Sequence, residues 1–157
     1  MSQIIIRKAK LSDLPILLGF EQEVINFERP FDSTIRDGGD LHYYDIEYMI
    51  GAEEAEVAVA VIGDEVIASG YARIKDAQVY FKHNQNAYLG FMYVVPEHRG
   101  KAVNKMILDY LKEWCIKRGI KELRLDVYND NLQAIKAYEK AGFKKLMIEM
   151  RMNLDEL

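Results

Sequence analysis

The sequence predicts an α/β (α+β sandwich) fold, a mixed central sheet flanked by helices. Three observations carry that prediction. Glu56–Ile62 and Val66–Ile74 are β-rich runs joined by Gly63-Asp64-Glu65, the pattern of a hairpin. Val103, Met106, Ile107, Tyr110, Leu111 and Trp114 recur every three or four residues, the apolar stripe of a helix. Strand-like and helix-like segments then alternate to Met152. With 157 residues, 50% of them hydrophobic, one domain over residues 1–157 with its own core is expected.

Taken in order, Gln3–Arg7 reads as a first strand, because Ile4, Ile5 and Ile6 are β-branched. Ser12 is positioned to cap a helix carrying Leu14, Leu17, Leu18, Val24 and Ile25, with Pro15 tolerable in its first turn. Glu28–Asp40, with Pro30 and Gly38-Gly39, is irregular, and Leu41–Ile50 resumes a helical pattern. After the hairpin, Ala77–Phe81 is an extension of it. Tyr88–Val95 is apolar on both faces and therefore central in the sheet. The loop Pro96–Lys101 leads into the long helix, which Gly119 ends. Leu123–Val127 alternates as a strand, Asn131–Ala141 is a helix closed by Gly142, and Phe143–Met152 supplies the last strand.

Bulk composition excludes several functions. The lone Cys115 allows no internal disulfide, and no Cys/His spacing suggests a metal site. A formal charge of −4 disfavours non-specific nucleic-acid binding and suits cationic substrates. No apolar run reaches the roughly 18 residues of a membrane span, and the N-terminal apolar run is too short for a signal peptide. A soluble, cytoplasmic protein is expected. An exposed sheet edge would suit a homodimer.

Two segments carry chemistry. A strand that feeds a short loop and then a helix start makes an anion site, because the first helical N–H groups lack backbone partners and the helix dipole adds positive potential. Tyr88–Val95, Pro96–Lys101 and the helix from about Ala102 form such a unit, with Arg99, Lys101 and Lys105 adding charge. In the second segment, Asn131 and Tyr138 project from nearly one face of a helix, an amide and a phenol together.

The quoted residues are Val94-x-Pro96-Glu97-x-Arg99-Gly100-Lys101, then Asn131-x-x-Ala134-x-x-x-Tyr138-Glu139-Lys140-Ala141-Gly142-Phe143. In this combination the chain resembles the GCN5-related N-acetyltransferase (GNAT) family, over nearly its whole length apart from Glu28–Asp40. The family's phosphate loop reads Gln/Arg-x-x-Gly-x-Gly/Ala. Here it is Arg99-Gly100-Lys101-Ala102-Val103-Asn104, with Ala102 and Asn104 at the small-residue positions.

The resemblance implies an acetyl-CoA-dependent N-acetyltransferase that acts by direct attack of an amine on the thioester. It assigns Met92, Tyr93 and Val94 to the pantetheine arm. Backbone groups of Arg99, Gly100, Lys101, Ala102, Val103, Asn104 and Lys105 would take the pyrophosphate, and Asn131 the pantetheine end. Tyr138 becomes the acid for the departing thiolate. The partners implied are acetyl-CoA and a primary amine on a small molecule, amino acid or protein. The acceptor would lie around Glu28, Tyr43, Tyr44 and Gly90, where carboxylates and aromatic faces suit a cation and Gly90 opens space. Glu28, Asp126 and His42 are the candidate bases, since an alkylamine with a pKa near ~10.4 must lose a proton before it attacks. The alternative is a GNAT-fold module that binds acyl-CoA without turnover.

Overall fold

A computed structural model describes residues 3–157. They fall into two compact units, one ending at Asp126 and the other running Val127–Leu157.

The first unit is built on a five-stranded sheet. Its strands are β1 (Ile4–Lys8), β2 (Ala55–Ile62), β3 (Glu65–Asp76), β4 (Gln85–Val94) and β5 (Leu123–Arg124), in that spatial order. The first four run antiparallel to their neighbours, and β5 is parallel to β4. The hairpin turns at Gly63, whose φ of +59° suits a residue without a Cβ.

The two faces of the sheet differ in side-chain size, and that difference decides what packs on each. Register pairs Ala58 with Gly70 and Ala60 with Ala68, so one face is a floor of small residues. Helix α3 (Val103–Lys117) lies on it, and a Cβ added at Gly70 would stand 2.7 Å from Ile107. At the edge of that floor Tyr110 donates to Glu56 at 2.6 Å, which satisfies a buried carboxylate. The other face presents Val57, Val59, Val61, Tyr71 and Phe91. Helices α1 (Leu14–Glu28) and α2 (Ile46–Gly51) cover it with Leu17, Phe20, Ile46, Met49 and Ile50.

Several element boundaries depart from sequence expectation. Ser12 does not cap α1; it lies in a 3₁₀ turn, Leu11–Asp13, and Asp13 precedes the helix. The Asp13 carboxylate instead takes the Lys10 amide at 2.7 Å and both Arg7 guanidinium nitrogens at 2.8 and 3.0 Å. The helix expected over Leu41–Ile50 begins only at Ile46, capped by the Asp45 carboxylate, which accepts from Tyr48 N at 3.2 Å. The reason is a long-range contact: the amides of Tyr43 and Tyr44 donate to Glu21 at 2.8 and 2.9 Å and are unavailable to a helix ladder. Ala77–Phe81 turns away rather than extending the hairpin.

The second unit holds one helix, α4 (Leu132–Lys140), capped by Asn131, whose side chain accepts from Ala134 N at 3.3 Å. The strand expected over Phe143–Met152 does not form. Its apolar positions stay exposed, Met147 and Met150 at 86% and 88%. Alternation marks a strand only where a ladder partner exists, and among the described residues the sheet ends at β5. That strand is two residues long, not the five expected over Leu123–Val127.

Candidate active site

The site is organised by the way β4 loses its neighbours. Against β5 it pairs only at Ala87 and Tyr88, so Leu89–Val94 present an open ladder edge on that side. Against β3 its register slips: Ser69 faces Tyr93 and Tyr71 faces Gly90, leaving Phe91 and Met92 opposite Gly70 alone. This is a β-bulge, and Phe91 takes the left-handed conformation at φ +58° to make it. Two contacts hold that strained residue: it is 2% exposed, and its carbonyl accepts from the buried Ser69 hydroxyl at 3.0 Å. Met92, in the bulge, and Tyr93 and Val94, beyond it, therefore lie on the half of β4 that has no β5 partner.

From Val94 the chain runs through a 3₁₀ turn, Pro96–His98, into the start of α3. Gly100 and Ala102 are both left-handed, at φ +78° and +63°. Ala102 is the residue before α3 and brings no side-chain cap, so no side-chain oxygen of that residue covers the first amides of a 15-residue helix. No carboxylate lies in the first turn. Val103 is buried, Asn104 is half-buried, and Lys101 and Lys105 are exposed. Lys105 pairs with Asp109 at 2.7 Å. Arg99 folds back on the strand, its Nε donating to Val94 O at 2.8 Å and its guanidinium lying 5.6 Å from the Tyr93 ring centre. Backbone N–H groups of this loop and the helix terminus thus offer donors of the kind an anion can take.

Beside the bulge is a row of aromatic rings. Tyr43 and Tyr44 meet edge to face at 5.7 Å, Tyr44 and Tyr71 at 5.4 Å, and Tyr71 and Tyr88 tilt together at 6.4 Å. Tyr44 also packs on Phe91 at 5.1 Å, and its hydroxyl meets the Phe91 amide. Burial holds the Tyr44, Tyr71 and Tyr88 phenols above the ordinary tyrosine range, so none of the three serves as a phenolate base. The room over Gly90 is taken by Tyr71: a Cβ at that position would stand 2.9 Å from its hydroxyl. Gly90 therefore admits the Tyr71 phenol rather than leaving open space.

Both ends of the row are acidic. At one end the Tyr43 phenol hydrogen-bonds the half-buried Glu28, whose carboxyl is pushed up first by burial and then by the charge of Asp32. At the other end the Tyr88 hydroxyl donates to Asp126 at 3.3 Å, just past β5. Glu21 fixes the near end. Fully buried, it accepts the Tyr43 and Tyr44 amides and lies 2.7 Å from His42 Nδ1. The structure brings Glu28, Tyr43 and Tyr44 together, with Gly90 under the Tyr71 ring. Tyr88 and the Glu21 clamp are additions from the structure. Glu21 has one sequence signal, since it sits four residues from both Leu17 and Ile25 on the buried stripe of α1.

Asn131 and Tyr138 belong to the second unit. The Asn131 side-chain oxygen is engaged in capping α4, and the Tyr138 ring meets Phe143 edge to face at 5.9 Å. Among the described residues no group of three His, Cys, Asp or Glu side chains is placed to hold a metal ion, and no helix is long and apolar enough to cross a membrane.

Comparison with known proteins gives one family. The model of the Acetyltransferase (GNAT) family matches residues 22–143. A thialysine N-epsilon-acetyltransferase of Bos taurus is 26% identical over 93% of this chain and 87% of its own length. Streptothricin acetyltransferase of Streptomyces lavendulae is 33% identical over 55% of this chain, which spans only 42% of that relative. Among solved structures, an acetyltransferase with acetyl-CoA from Clostridium acetobutylicum matches with a TM-score of 0.73 and 20% identity, covering 99% of both chains. Aminoglycoside N-acetyltransferase AAC(6')-Iy in complex with CoA matches with a TM-score of 0.75 and 19% identity over 98% of this chain and 95% of that one. At such identities the structural likeness carries the fold.

Proposed function

The chain belongs to the GNAT acetyltransferase family, and from that premise we propose that it is an N-acetyltransferase moving the acetyl group of acetyl-CoA to a primary amine. One observation carries the reading above the rest. The ladder edge of β4 is open over Leu89–Val94 and runs straight into the uncapped start of α3. A cosubstrate with amide groups along an arm and a pyrophosphate at its end matches that sequence of partners. The arm pairs with Met92, Tyr93 and Val94, and the pyrophosphate takes the amides from Gly100 to Lys105. Asn131 contacts the pantetheine end. The relatives named for acetylating streptothricin and thialysine, and the neighbours holding acetyl-CoA or CoA, support the same assignment.

The chemistry is a direct transfer. The neutral amine nitrogen bonds to the thioester carbonyl carbon, the carbon–sulfur bond breaks, and the sulfur leaves as thiolate. The amine's proton passes to water or to Asp126 at the mouth of the opening between β4 and β5. By the family resemblance the thiolate takes its proton from the Tyr138 phenol, and water returns a proton to the phenolate. A thiol pKa near ~8.5 makes that help useful rather than decisive. Cys115 takes no part, because it is fully buried on α3 and its thiol is pushed up to about 11 by that burial. In this reading residues 1–157 act as one acetyltransferase domain in the cytoplasm.

The test is calorimetric titration with acetyl-CoA, followed by thiol release with a panel of amines. Micromolar binding with thiol release for at least one amine is expected. Binding with no release for any amine would favour an acyl-CoA-binding module instead. No binding at all would overturn the proposal.

A further inference from the structure

The last rung on the open edge of β4 is already in use. Val95 N donates to Ile67 O at 2.9 Å, so Val95 turns its amide towards β3. Successive residues of a strand point their backbone groups to opposite sides. Val94, paired with Ala68, therefore turns its amide and carbonyl away from β3, to the side where β5 does not reach. On that side the Val94 carbonyl has a donor, Arg99 Nε at 2.8 Å. The same guanidinium lies 5.6 Å from the Tyr93 ring centre. Arg99 thus bonds back onto the strand that the chain has just left.

The guanidinium is held there by neutral partners only. Arg99 is exposed, and no carboxylate among the described residues lies within ion-pair distance of it. A carbonyl and a ring face at an exposed site each contribute little. A phosphate oxygen is a stronger partner for the same fork of donors. The chain beyond Arg99 passes through the left-handed Gly100 and Ala102 to the first amides of α3, so the side chain stands between the strand edge and the amides assigned to the pyrophosphate.

Resting on the acetyl-CoA reading, we propose that Arg99 is a specificity-determining residue for the cosubstrate: it occupies the Val94 carbonyl until an amide-bearing arm takes that rung, and it selects arms that carry a phosphate. Pairing with the Val94 carbonyl breaks the bond from Arg99. A phosphate on the arm gives the released guanidinium a new partner, whereas a phosphate-free arm leaves it with none. The exchange makes and breaks hydrogen bonds only.

The experiment compares acetyl-CoA with S-acetylpantetheine, which has the same arm and thioester but no phosphate. Calorimetry and amide chemical shifts measure the binding of each to wild type and to Arg99→Ala, and the amide spectrum away from the loop reports whether the variant is folded. The preference for acetyl-CoA over S-acetylpantetheine should fall about tenfold in Arg99→Ala, with S-acetylpantetheine bound tighter than by wild type. A role in loop structure alone would weaken both ligands together. In wild type the Arg99 Nε–H signal should shift when either ligand binds, a readout that does not depend on the variant. An unchanged preference, S-acetylpantetheine bound no tighter by Arg99→Ala, or an Arg99 signal that neither ligand moves would each overturn the inference while the acetyl-CoA reading stood. Binding of acetyl-CoA without any binding of S-acetylpantetheine to either protein would overturn it in the same way. No binding of acetyl-CoA to wild type would instead remove the acetyl-CoA reading, and the inference with it.

Discussion

Replacing Ala102 by glycine should stabilise this protein, although the substitution deletes a methyl group and adds freedom to the unfolded chain. Ala102 stands at φ +63° and ψ +19°, where the Cβ of an L-residue crowds the following carbonyl at a cost of roughly 1–2 kcal/mol. The residue is exposed, so its methyl contributes little burial. Glycine removes the clash but loses about 0.4–1 kcal/mol through unfolded-state entropy. The net is a gain of about 0.5–1 kcal/mol. In a domain of this size it should raise Tm by roughly 2 °C and move the urea midpoint without changing the slope. Phe91 provides the contrast. It holds nearly the same φ, +58°, but is buried. Phe91→Gly relieves the same strain and forfeits a packed ring worth about 3–5 kcal/mol, so it should destabilise by roughly 2–4 kcal/mol. Opposite signs at two matching backbone conformations are the signature expected. If Ala102→Gly lowered stability by a kilocalorie or more, the alanine Cβ would have to be making a favourable contact, and the strain argument would fail. Acetyl-CoA affinity should not fall in Ala102→Gly, since the cradle there is made of backbone.

Three further outcomes follow from the site. Tyr138→Phe should slow turnover and leave acetyl-CoA affinity near wild type; unchanged turnover would remove the phenol from its acid role. Glu21→Gln keeps one acceptor oxygen for the Tyr43 and Tyr44 amides but sets an NH2 against His42 Nδ1 in place of a carboxylate oxygen, and should cost about 1–3 kcal/mol in urea denaturation. In the active enzyme the same change should raise the amine KM more than the acetyl-CoA Kd, because it loosens Tyr43 and Tyr44; equal effects would make the clamp purely structural. Glu28→Gln should hold or raise Tm at neutral pH. The Glu28 carboxyl is pushed up by burial, so in the folded chain it binds its proton more readily than in the unfolded one. Its ionised form therefore opposes folding above the ordinary carboxyl range, and that penalty fades as pH falls through the raised value. A Tm drop at neutral pH in Glu28→Gln would contradict that sign.

The framework of the first unit was legible because its signals are local and redundant. The β2–β3 turn is written in Gly63-Asp64, and the α3 stripe in Val103, Ile107 and Leu111. The strand–loop–helix order from β4 to α3 was legible for a similar reason, since the three segments are contiguous in the chain. What stayed hidden depends on pairing over distance. Leu41–Tyr44 carries a helical pattern, but two of its amides are captured by Glu21, more than twenty residues earlier. Gly90 reads as open space until register places Tyr71 over it. Leu146, Ile148, Met150 and Met152 alternate as a strand should, yet alternation names only a face and not a partner.

The same distinction explains why the cosubstrate end of this site is easier to read than the acceptor end. Acetyl-CoA would be held by backbone: an open ladder edge, left-handed residues at Gly100 and Ala102, and the first amides of α3. Those features are encoded by short segments and tolerate side-chain change, which is why Ala102 can stand where the family pattern has glycine and still adopt the required φ. The proposed acceptor row is made of side chains from four places in the chain, α1, the Tyr43–Tyr44 segment, β3–β4 and Asp126, two residues beyond β5. Only the fold brings Glu28, Tyr44, Tyr71 and Asp126 to one face. In the proposed assignment, specificity for the amine can change by single substitutions along that row while the backbone amides keep the cosubstrate. Substitutions at Glu28 or Tyr88 should reorder amine preference before they disturb acetyl-CoA binding, and substitutions in Gly100–Lys105 should do the reverse.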